Sequence, residues 1–289
     1  MTTVVDILKK TEAFFRSKGI PSPRLDAELI VGHHLELDRV ALYLQFDRPL
    51  NERELKPMRD DVRRRAAREP IAWIIGTKGF WSLDLDAHRD VLVPRPDTET
   101  LVQAALDRIP EDVECFVADI GSGTGAVGLA IAVERPLVKL FAVDVSDAAL
   151  RCTKANVEKL ELQGRVAVLK GSLLDPIPAA RRIDVVVSNP PYIPSSEIGG
   201  LAPEIAVHEP RLALDGGDDG LDIYRALIPA AARRATTAVL LEHGDGQDAQ
   251  LLPMMEAGGL VDLNTHADLT GTVRVVSGGI PASLPGDSD

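Results

Sequence analysis

The sequence predicts an α/β fold, a mostly parallel sheet with helices on both faces, preceded by a small all-helical domain. Three observations predict it. Beyond Pro94, strand-like and helix-like patterns alternate; a glycine-rich turn follows the first strand of that series; and upstream of Pro70 the apolar residues recur at helical spacing.

Within 1–75, Val4, Ile7 and Leu8 with Phe14 and Phe15, then Leu25, Leu29 and Ile30, then Leu55, Met58 and Val62 mark the apolar faces of four or five helices. Pro21, Pro23, Pro49 and Pro70 separate them. The cluster Arg63, Arg64, Arg65 and Arg68 reads as a solvated helix face, because Asp60 and Asp61 stand four residues before Arg64 and Arg65. A hairpin linker is expected over 76–95, with Phe80, Leu83 and Leu85 on one strand, Val91, Leu92 and Val93 on the other, and a polar turn at 86–90. A helix should then start near Asp97 and run to about Arg108. In the remainder, strands are expected at 115–120, 138–143, 166–169, 183–187, 238–242 and 273–277, and helices at 126–134, 148–160, 220–234 and 247–257. The sheet domain thus covers 96–281, and 282–289 reads as a disordered tail. A ligand belongs at the carboxyl ends of the parallel strands.

At 289 residues, 45% hydrophobic and 26% charged, the chain suits one large domain or two unequal ones. Its charge of −12 is uneven. Residues 1–75 hold 14 Lys and Arg against 12 Asp and Glu, which leaves 18 against 32 for the rest, a net of −14. An acidic surface repels phosphate, so no direct nucleic-acid substrate is expected. Cys115 and Cys152 form neither a CxxC pair nor a disulfide framework, which suits a reducing cytoplasm. Charged residues interrupt the first eighteen positions, and no apolar run is long enough to cross a bilayer, so neither a signal peptide nor a membrane association is expected. The six histidines form no metal-binding spacing, and no metal is expected.

Two segments carry chemistry. Asp119-Ile120-Gly121-Ser122-Gly123-Thr124-Gly125 follows a strand and opens a helix, the context in which glycines let a backbone approach an adenosine cofactor. NAD, FAD and S-adenosylmethionine all fit such a turn. Asp144, ending the next strand, is placed to accept hydrogen bonds from both ribose hydroxyls; Ser146 and Asp147 are equally able to cap the following helix. The second segment, Asn189-Pro190-Pro191-Tyr192, ends the strand at 183–187. An amide or exocyclic NH2 is a poor nucleophile because its lone pair is delocalised. The Asn189 side-chain oxygen and the Pro190 carbonyl can each accept one N–H and aim that lone pair. The paired prolines fix the backbone in advance, and the Tyr192 ring can lie on the flat face of the acceptor. Together the two segments read as a methyl-donor site facing a methyl-acceptor site.

On these residues the chain resembles the HemK/PrmC-type protein-(glutamine-N5) methyltransferases, which modify peptide chain release factors. The resemblance spans nearly the whole length. It includes Gly76 with Phe80-Trp81, Pro94-Arg95-Pro96-Asp97-Thr98-Glu99, the glycine turn, Asp144, Ser188 with Asn-Pro-Pro-Tyr, Glu209-Pro210-Arg211, Asp219-Gly220-Leu221, Leu241-Glu242-His243-Gly244 with Gln247, and Arg274-Val275-Val276. It implies a class I S-adenosylmethionine-dependent methyltransferase fold, Rossmann-like with a seven-stranded sheet, after an N-terminal substrate-docking domain. It implies that Asp119, Gly121, Ser122, Gly123, Thr124, Gly125, Asp144 and Asn189 hold S-adenosylmethionine, with Ser172 and Leu173 beside the adenine and S-adenosylhomocysteine as product. It further implies that Asn189, Pro190 and Tyr192 act in catalysis. Together with Pro191, Pro94, Arg95 and Glu99 they would hold the glutamine of the Gly-Gly-Gln loop of class I release factors, the enzyme working as a monomer.

Three positions depart from that pattern: Ser172 replaces an acidic residue, His208 an aromatic, and Ala235-Thr236-Thr237 a glycine turn. Asn-Pro-Pro-Tyr alone also serves adenine amino-methyltransferases acting on DNA or RNA. A glutamine methyltransferase of a ribosomal protein would share the pocket, and a non-catalytic binding protein could keep the fold. Intact Asn189 and Asp144 disfavour the last.

Overall fold

The structure, a computed structural model, describes residues 2–281; the tail expected at 282–289 lies outside them. The chain divides into two compact units, 2–77 together with Ala202–His208, and Lys78–Leu201 together with 209–281.

Five α-helices are described in the first unit: α1 (Val4–Ser17), α2 (Pro23–Leu35), α3 (Arg39–Leu44), α4 (Glu52–Ala66) and α5 (Ile71–Ile75), with the two-residue strands β1 (Thr2–Thr3) and β2 (Pro49–Leu50) paired antiparallel. Reciprocal capping starts two of these helices. Thr3 caps α1 with Asp6 answering it, and Asn51 caps α4 with Glu54 answering it. Their apolar faces bury Val4, Val31, Leu42, Leu55 and Met58 in one cluster and Phe15, Ile20, Ala27, Ile30 and Ile74 in another.

The arginine cluster departs from expectation at one position. Arg63 and Arg64 pair with Asp60 and Asp61 at the surface, but Arg65 is buried. Its Nε donates to Asp26 at 2.6 Å and its Nη2 to Glu204 at 2.9 Å. One turn of helix separates these three arginines by about 100° per residue, which is enough to send Arg65 to the apolar face.

The second unit opens with a hairpin of β3 (Thr77–Phe80) and β4 (Leu83–Asp86). The expected turn at 86–90 is not the hairpin turn, and 91–93 is not a strand. The chain reverses at Trp81 and Ser82 instead, with Trp81 at φ +55°. This left-handed backbone is held from both ends of the residue: the Trp81 N–H donates to Glu99 Oε1 at 2.8 Å, and the indole Nε1–H donates to Glu134 Oε1 at 2.7 Å. A short 3₁₀ turn, Pro96–Thr98, then leads into α6 (Glu99–Leu106).

The sheet follows: β5 (Cys115–Ile120), α7 (Ala126–Glu134), β6 (Val138–Asp144), α8 (Asp147–Lys159), β7 (Val166–Lys170), β8 (Ile183–Ser188), α9 (Asp222–Arg234), β9 (Ala235–Glu242), α10 (Asp248–Ala257), β10 (Val261–Ala267) and β11 (Val273–Gly279). Seven strands lie in the order β10-β11-β9-β8-β5-β6-β7, parallel from β9 to β7, with β11 antiparallel to both β9 and β10. Strand β10 was absent from the expected pattern. Its sequence, Val-Asp-Leu-Asn-Thr-His-Ala, is mostly polar because the strand is an exposed edge, so no apolar run announces it.

The central strands alternate between two cores, as period-2 geometry requires. Val117, Val185, Val187 and Leu240 pack on one face with residues of α6 and α7, while Ala118, Val186, Val239 and Leu241 pack on the other with residues of α9 and α10. At 235–237 no turn of any kind is needed. Helix α9 ends at Arg234 and β9 begins at Ala235, with the Thr236 hydroxyl donating to the buried Asp184 at 2.8 Å. Cys115 and Cys152 are buried free thiols, and burial pushes Cys115 up to about 12. Among the described residues no helix is long and apolar enough to cross a membrane.

Removing Arg65 should leave two carboxylates in a desolvated site. Arg65→Ala is expected to lower unfolding stability in urea by about 3–5 kcal/mol, whereas Arg63→Ala at the surface should change it by about 0.5 kcal/mol or less.

Candidate active site

The sheet order places β5 beside β8, while the chain between them runs outward through β6 and β7 and then returns. This reversal opens a crevice at the carboxyl ends of β5 and β8. Ile120 pairs with Ser188 across the two strands, and the Ser188 hydroxyl donates to the Ile120 carbonyl at 2.6 Å. The glycine turn and Asn189 therefore leave the sheet side by side.

Gly121, Gly123 and Gly125 all adopt positive φ (+75°, +58° and +84°), which side chains disfavour. Gly121 and Ser122 N–H groups both donate to the Val143 carbonyl, at 2.8 and 3.0 Å, folding the turn back over β6. A Cβ on Gly125 would come within 2.8 Å of Leu129, so this glycine serves helix packing. A Cβ on Gly121 would meet no protein atom within 4 Å, which leaves its outer face open to a ligand. Asp144 sits across the turn with each oxygen held by one backbone donor, Gly123 N–H at 2.9 Å and Ser146 N–H at 2.8 Å. A carboxylate has about four acceptor sites, so two remain for hydroxyls. The cap of α8 is Ser146.

A cavity of about 240 Å³ occupies the crevice. Of the residues singled out from the sequence, Asp119, Gly121, Ser122, Gly123, Thr124, Asp144, Ser172, Leu173, Asn189, Pro190, Pro191, Pro94 and Arg95 all line it. Three others stand apart. Gly125 caps α7 behind the turn, and Glu99 is spent on the Trp81 N–H. The Tyr192 ring lies against Gly244, where an added Cβ would approach its Cδ2 to 3.2 Å, and its carbonyl accepts from Gln247 Nε2 at 3.0 Å. Burial pushes its hydroxyl up to about 12.

The cavity has features that sequence reasoning missed. Val145, Ala149 and Leu212 add apolar wall, and Pro210 and Ala213, quoted from the sequence without a role, line the cavity as well. Arg95 reaches the buried Glu209 at 2.6 Å, tying the Pro-Arg-Pro loop to the Glu-Pro segment. Thr98 also lines the cavity, and its Oγ1 accepts from Asn189 Nδ2 at 3.2 Å. The signal for Thr98 was within the quoted Pro94–Glu99 segment, but a threonine carries no chemistry legible without its neighbours.

Among the described residues lining the cavity, Asp119 is the buried carboxyl. It accepts from Gly128 N–H at 3.0 Å, and burial, reinforced by the charge of Asp144, raises it to about 7. The donor and acceptor set fits an adenosine cofactor with a cationic end: an open glycine face, a carboxylate with two free acceptor sites, an apolar wall and a buried carboxyl.

The comparisons bear on the same regions. Residues 6–76 match the family model described as "PrmC N-terminal domain" and residues 97–215 the one described as "Methyltransferase small domain". A release factor glutamine methyltransferase of Geobacter sulfurreducens is 41% identical over 280 residues, covering 96% of this chain and 97% of that one. The chain belongs to the release factor glutamine methyltransferase family. A second family member, from Bradyrhizobium diazoefficiens, is 42% identical over 273 residues, 92% of this chain and 91% of its own. Among solved structures, the human Mettl16 catalytic domain in complex with MAT2A 3′UTR hairpin 6 superposes with a TM-score of 0.59 at 16% identity, over 78% of this chain and 84% of that one. That likeness is one of fold alone. The seven-stranded domain is thus a class I S-adenosylmethionine-dependent methyltransferase fold, as expected for the family.

A carboxyl near 7 is half protonated at neutral pH, and a cationic ligand favours its ionised form. Binding of S-adenosylmethionine should therefore tighten as pH rises through 7 and release a proton below it. Calorimetry is expected to give a Kd at pH 6 up to about tenfold weaker than at pH 8, with the dependence abolished in Asp119→Asn. Equal slopes in both proteins would contradict this role.

Proposed function

We propose that this protein transfers a methyl group from S-adenosylmethionine to the side-chain amide nitrogen, N5, of the glutamine in the Gly-Gly-Gln loop of class I peptide chain release factors. The reading rests on one observation above all: Asn189 and Pro190 share a single cavity with the glycine turn and Asp144. Family membership supplies the substrate class.

S-adenosylmethionine, when bound, supplies an electrophilic methyl group on a sulfonium. Gly121, Gly123 and Asp144 would hold its adenosine part, and Ser172 and Leu173 would flank the adenine. Asn189 Oδ1 and the Pro190 carbonyl would each accept one N–H of the glutamine amide. Holding both N–H bonds fixes the plane of the NH2 group, so the nitrogen lone pair points perpendicular to that plane toward the donor. Orientation of this kind can supply up to about 7–11 kcal/mol of the barrier. Pro190 and Pro191 fix the backbone without a ligand present, so little is lost to ordering on binding. Pro94 and Arg95 form part of the wall nearest this segment, and the Arg95–Glu209 pair would hold that wall in place. Tyr192, packed on Gly244, would support the Pro-Pro segment from behind rather than stack on the acceptor.

The helical unit would dock the release factor. Val40, Tyr43, Leu44 and Phe46 are exposed on it, apolar surface that a folded protein partner would cover. We further infer a monomer acting in the cytoplasm, with S-adenosylhomocysteine as product and no nucleic acid as direct substrate, in line with the net −14 of residues 76–289.

Incubation with labelled cofactor and purified release factors, followed by mass mapping, should place one added methyl on the Gly-Gly-Gln glutamine. Asn189→Ala should lower kcat/KM roughly 10²–10³-fold, the scale of losing one oriented polar contact to a reacting group. Methylation of adenine in nucleic acid, or of another protein in preference, would overturn the assignment.

A further inference from the structure

A carboxamide is nearly symmetric in shape, and only one of its two flips suits the proposed reaction. With Oδ1 toward the acceptor site, Asn189 receives an N–H. With Nδ2 there, it presents donors to a donor and repels the substrate. Something must break this degeneracy. The direct contact is Asn189 Nδ2 to Thr98 Oγ1 at 3.2 Å, but a hydroxyl both donates and accepts, so Thr98 alone favours neither flip.

Glu242, the last residue of β9, is 2% exposed. Leu241 pairs with Ser188 across β9 and β8, which puts Glu242 next to Asn189, and the Thr98 hydroxyl and the Asn189 carboxamide are the hydrogen-bonding groups that favour its charged form. Its Oε2 has no hydrogen-bond partner among the described residues. The charged groups near it are Asp97 and Arg274, and the phenols of Tyr192 and Tyr224 lie close enough to feel its charge, Tyr224 donating to the Glu242 backbone carbonyl at 2.6 Å. An ionised carboxylate accepts only, so it favours the Thr98 proton and the Asn189 NH2 on its own side, leaving the Thr98 Oγ1 to accept from Asn189 and the Asn189 oxygen to face away.

We propose that Glu242 is a positioning residue that, together with Thr98, locks the Asn189 carboxamide in the flip that turns its oxygen toward the methyl acceptor. Asn189 donates to Thr98, and both groups turn their donors toward Glu242. Protonated Glu242 gains a donor of its own, can reverse that direction, and frees Asn189 to turn. Burial raises this carboxyl to about 7, with Asp97 raising it further and Thr98, Arg274 and Asn189 opposing, so the lock would engage as pH rises through neutrality. Glu242 touches neither cofactor nor substrate in this account. The proposal rests on the acceptor role of Asn189 given above.

Two variants test it on the full chain. Glu242→Gln keeps the shape but restores an ambivalent group, and Thr98→Val removes the link while keeping the volume. Each is expected to raise the apparent KM for a Gly-Gly-Gln substrate about tenfold, as follows when only a fraction of the protein is binding-competent. The Kd for S-adenosylhomocysteine should stay within twofold and kcat should fall less than KM rises. At saturating cofactor, which removes the contribution of Asp119, kcat/KM of the wild type should rise with pH through about 7 and that of Glu242→Gln should be flat. Independently of turnover, the Asn189 side-chain NH2 resonances of the cofactor-free protein should shift with pH about the same midpoint, and lose that shift in Glu242→Gln. An unshifted resonance in the wild type, or an unchanged KM in folded Glu242→Gln, would overturn the proposal. If the wild type methylates no glutamine substrate, the reaction assignment fails, while the resonance measurement still decides the role of Glu242.

Discussion

Because β5 and β8 are hydrogen-bonded in parallel, with Ile120 opposite Ser188, the residues that follow each strand emerge at the same edge of the sheet and must diverge there. Everything functional in the structure depends on that register. A slip of one residue would turn Asn189 to the other face of the sheet and the glycine turn with respect to it. The register is fixed by burial on both faces, since Val117, Val185 and Val187 belong to one core and Ala118 and Val186 to the other. The Ser188 to Ile120 hydrogen bond fastens the last step. The turns that carry the site are therefore positioned by the most buried strands of the molecule.

The second constraint is electrostatic. Asp119, Glu209 and Glu242 are buried carboxyls around one crevice, each raised by desolvation, and Asp144 borders it with both oxygens held by backbone donors. Only Glu209 has a direct cationic partner, Arg95. Buried carboxyls of this kind are unfavourable for stability unless something uses them. A cationic ligand and a neutral NH2 substrate are the two species such a crevice suits, one drawn by charge and the other by acceptors. The negative balance of residues 76–289 extends that preference to the surrounding surface.

Much of this was legible in the sequence because it follows from local rules. Alternating apolar runs announced the parallel strands and the helices between them, and the spacing of Gly121, Gly123 and Gly125 after a strand announced positive φ and a ligand turn. What escaped depended on contacts between distant positions. Strand β10 is a polar edge and carries no apolar period. The hairpin turn at Trp81 exists because Glu99 and Glu134 hold that residue from sites 18 and 53 positions away. Arg65 looked like its surface neighbours until Asp26 and Glu204 were placed beside it. The contact of the Tyr192 ring with Gly244, 52 positions away, was equally invisible in the sequence. Thr98 and Glu242 acquire meaning only once β9 is laid beside β8 and the 3₁₀ turn at Pro96–Thr98 is set over both.

The most direct measurement is a crystal structure with S-adenosylhomocysteine and a Gly-Gly-Gln peptide bound together. The account predicts the glutamine amide nitrogen within hydrogen-bond distance of both Asn189 Oδ1 and the Pro190 carbonyl, and in line with the position of the missing methyl group. An amide seated elsewhere in the crevice, or an Asn189 that presents its nitrogen to the substrate, would contradict it.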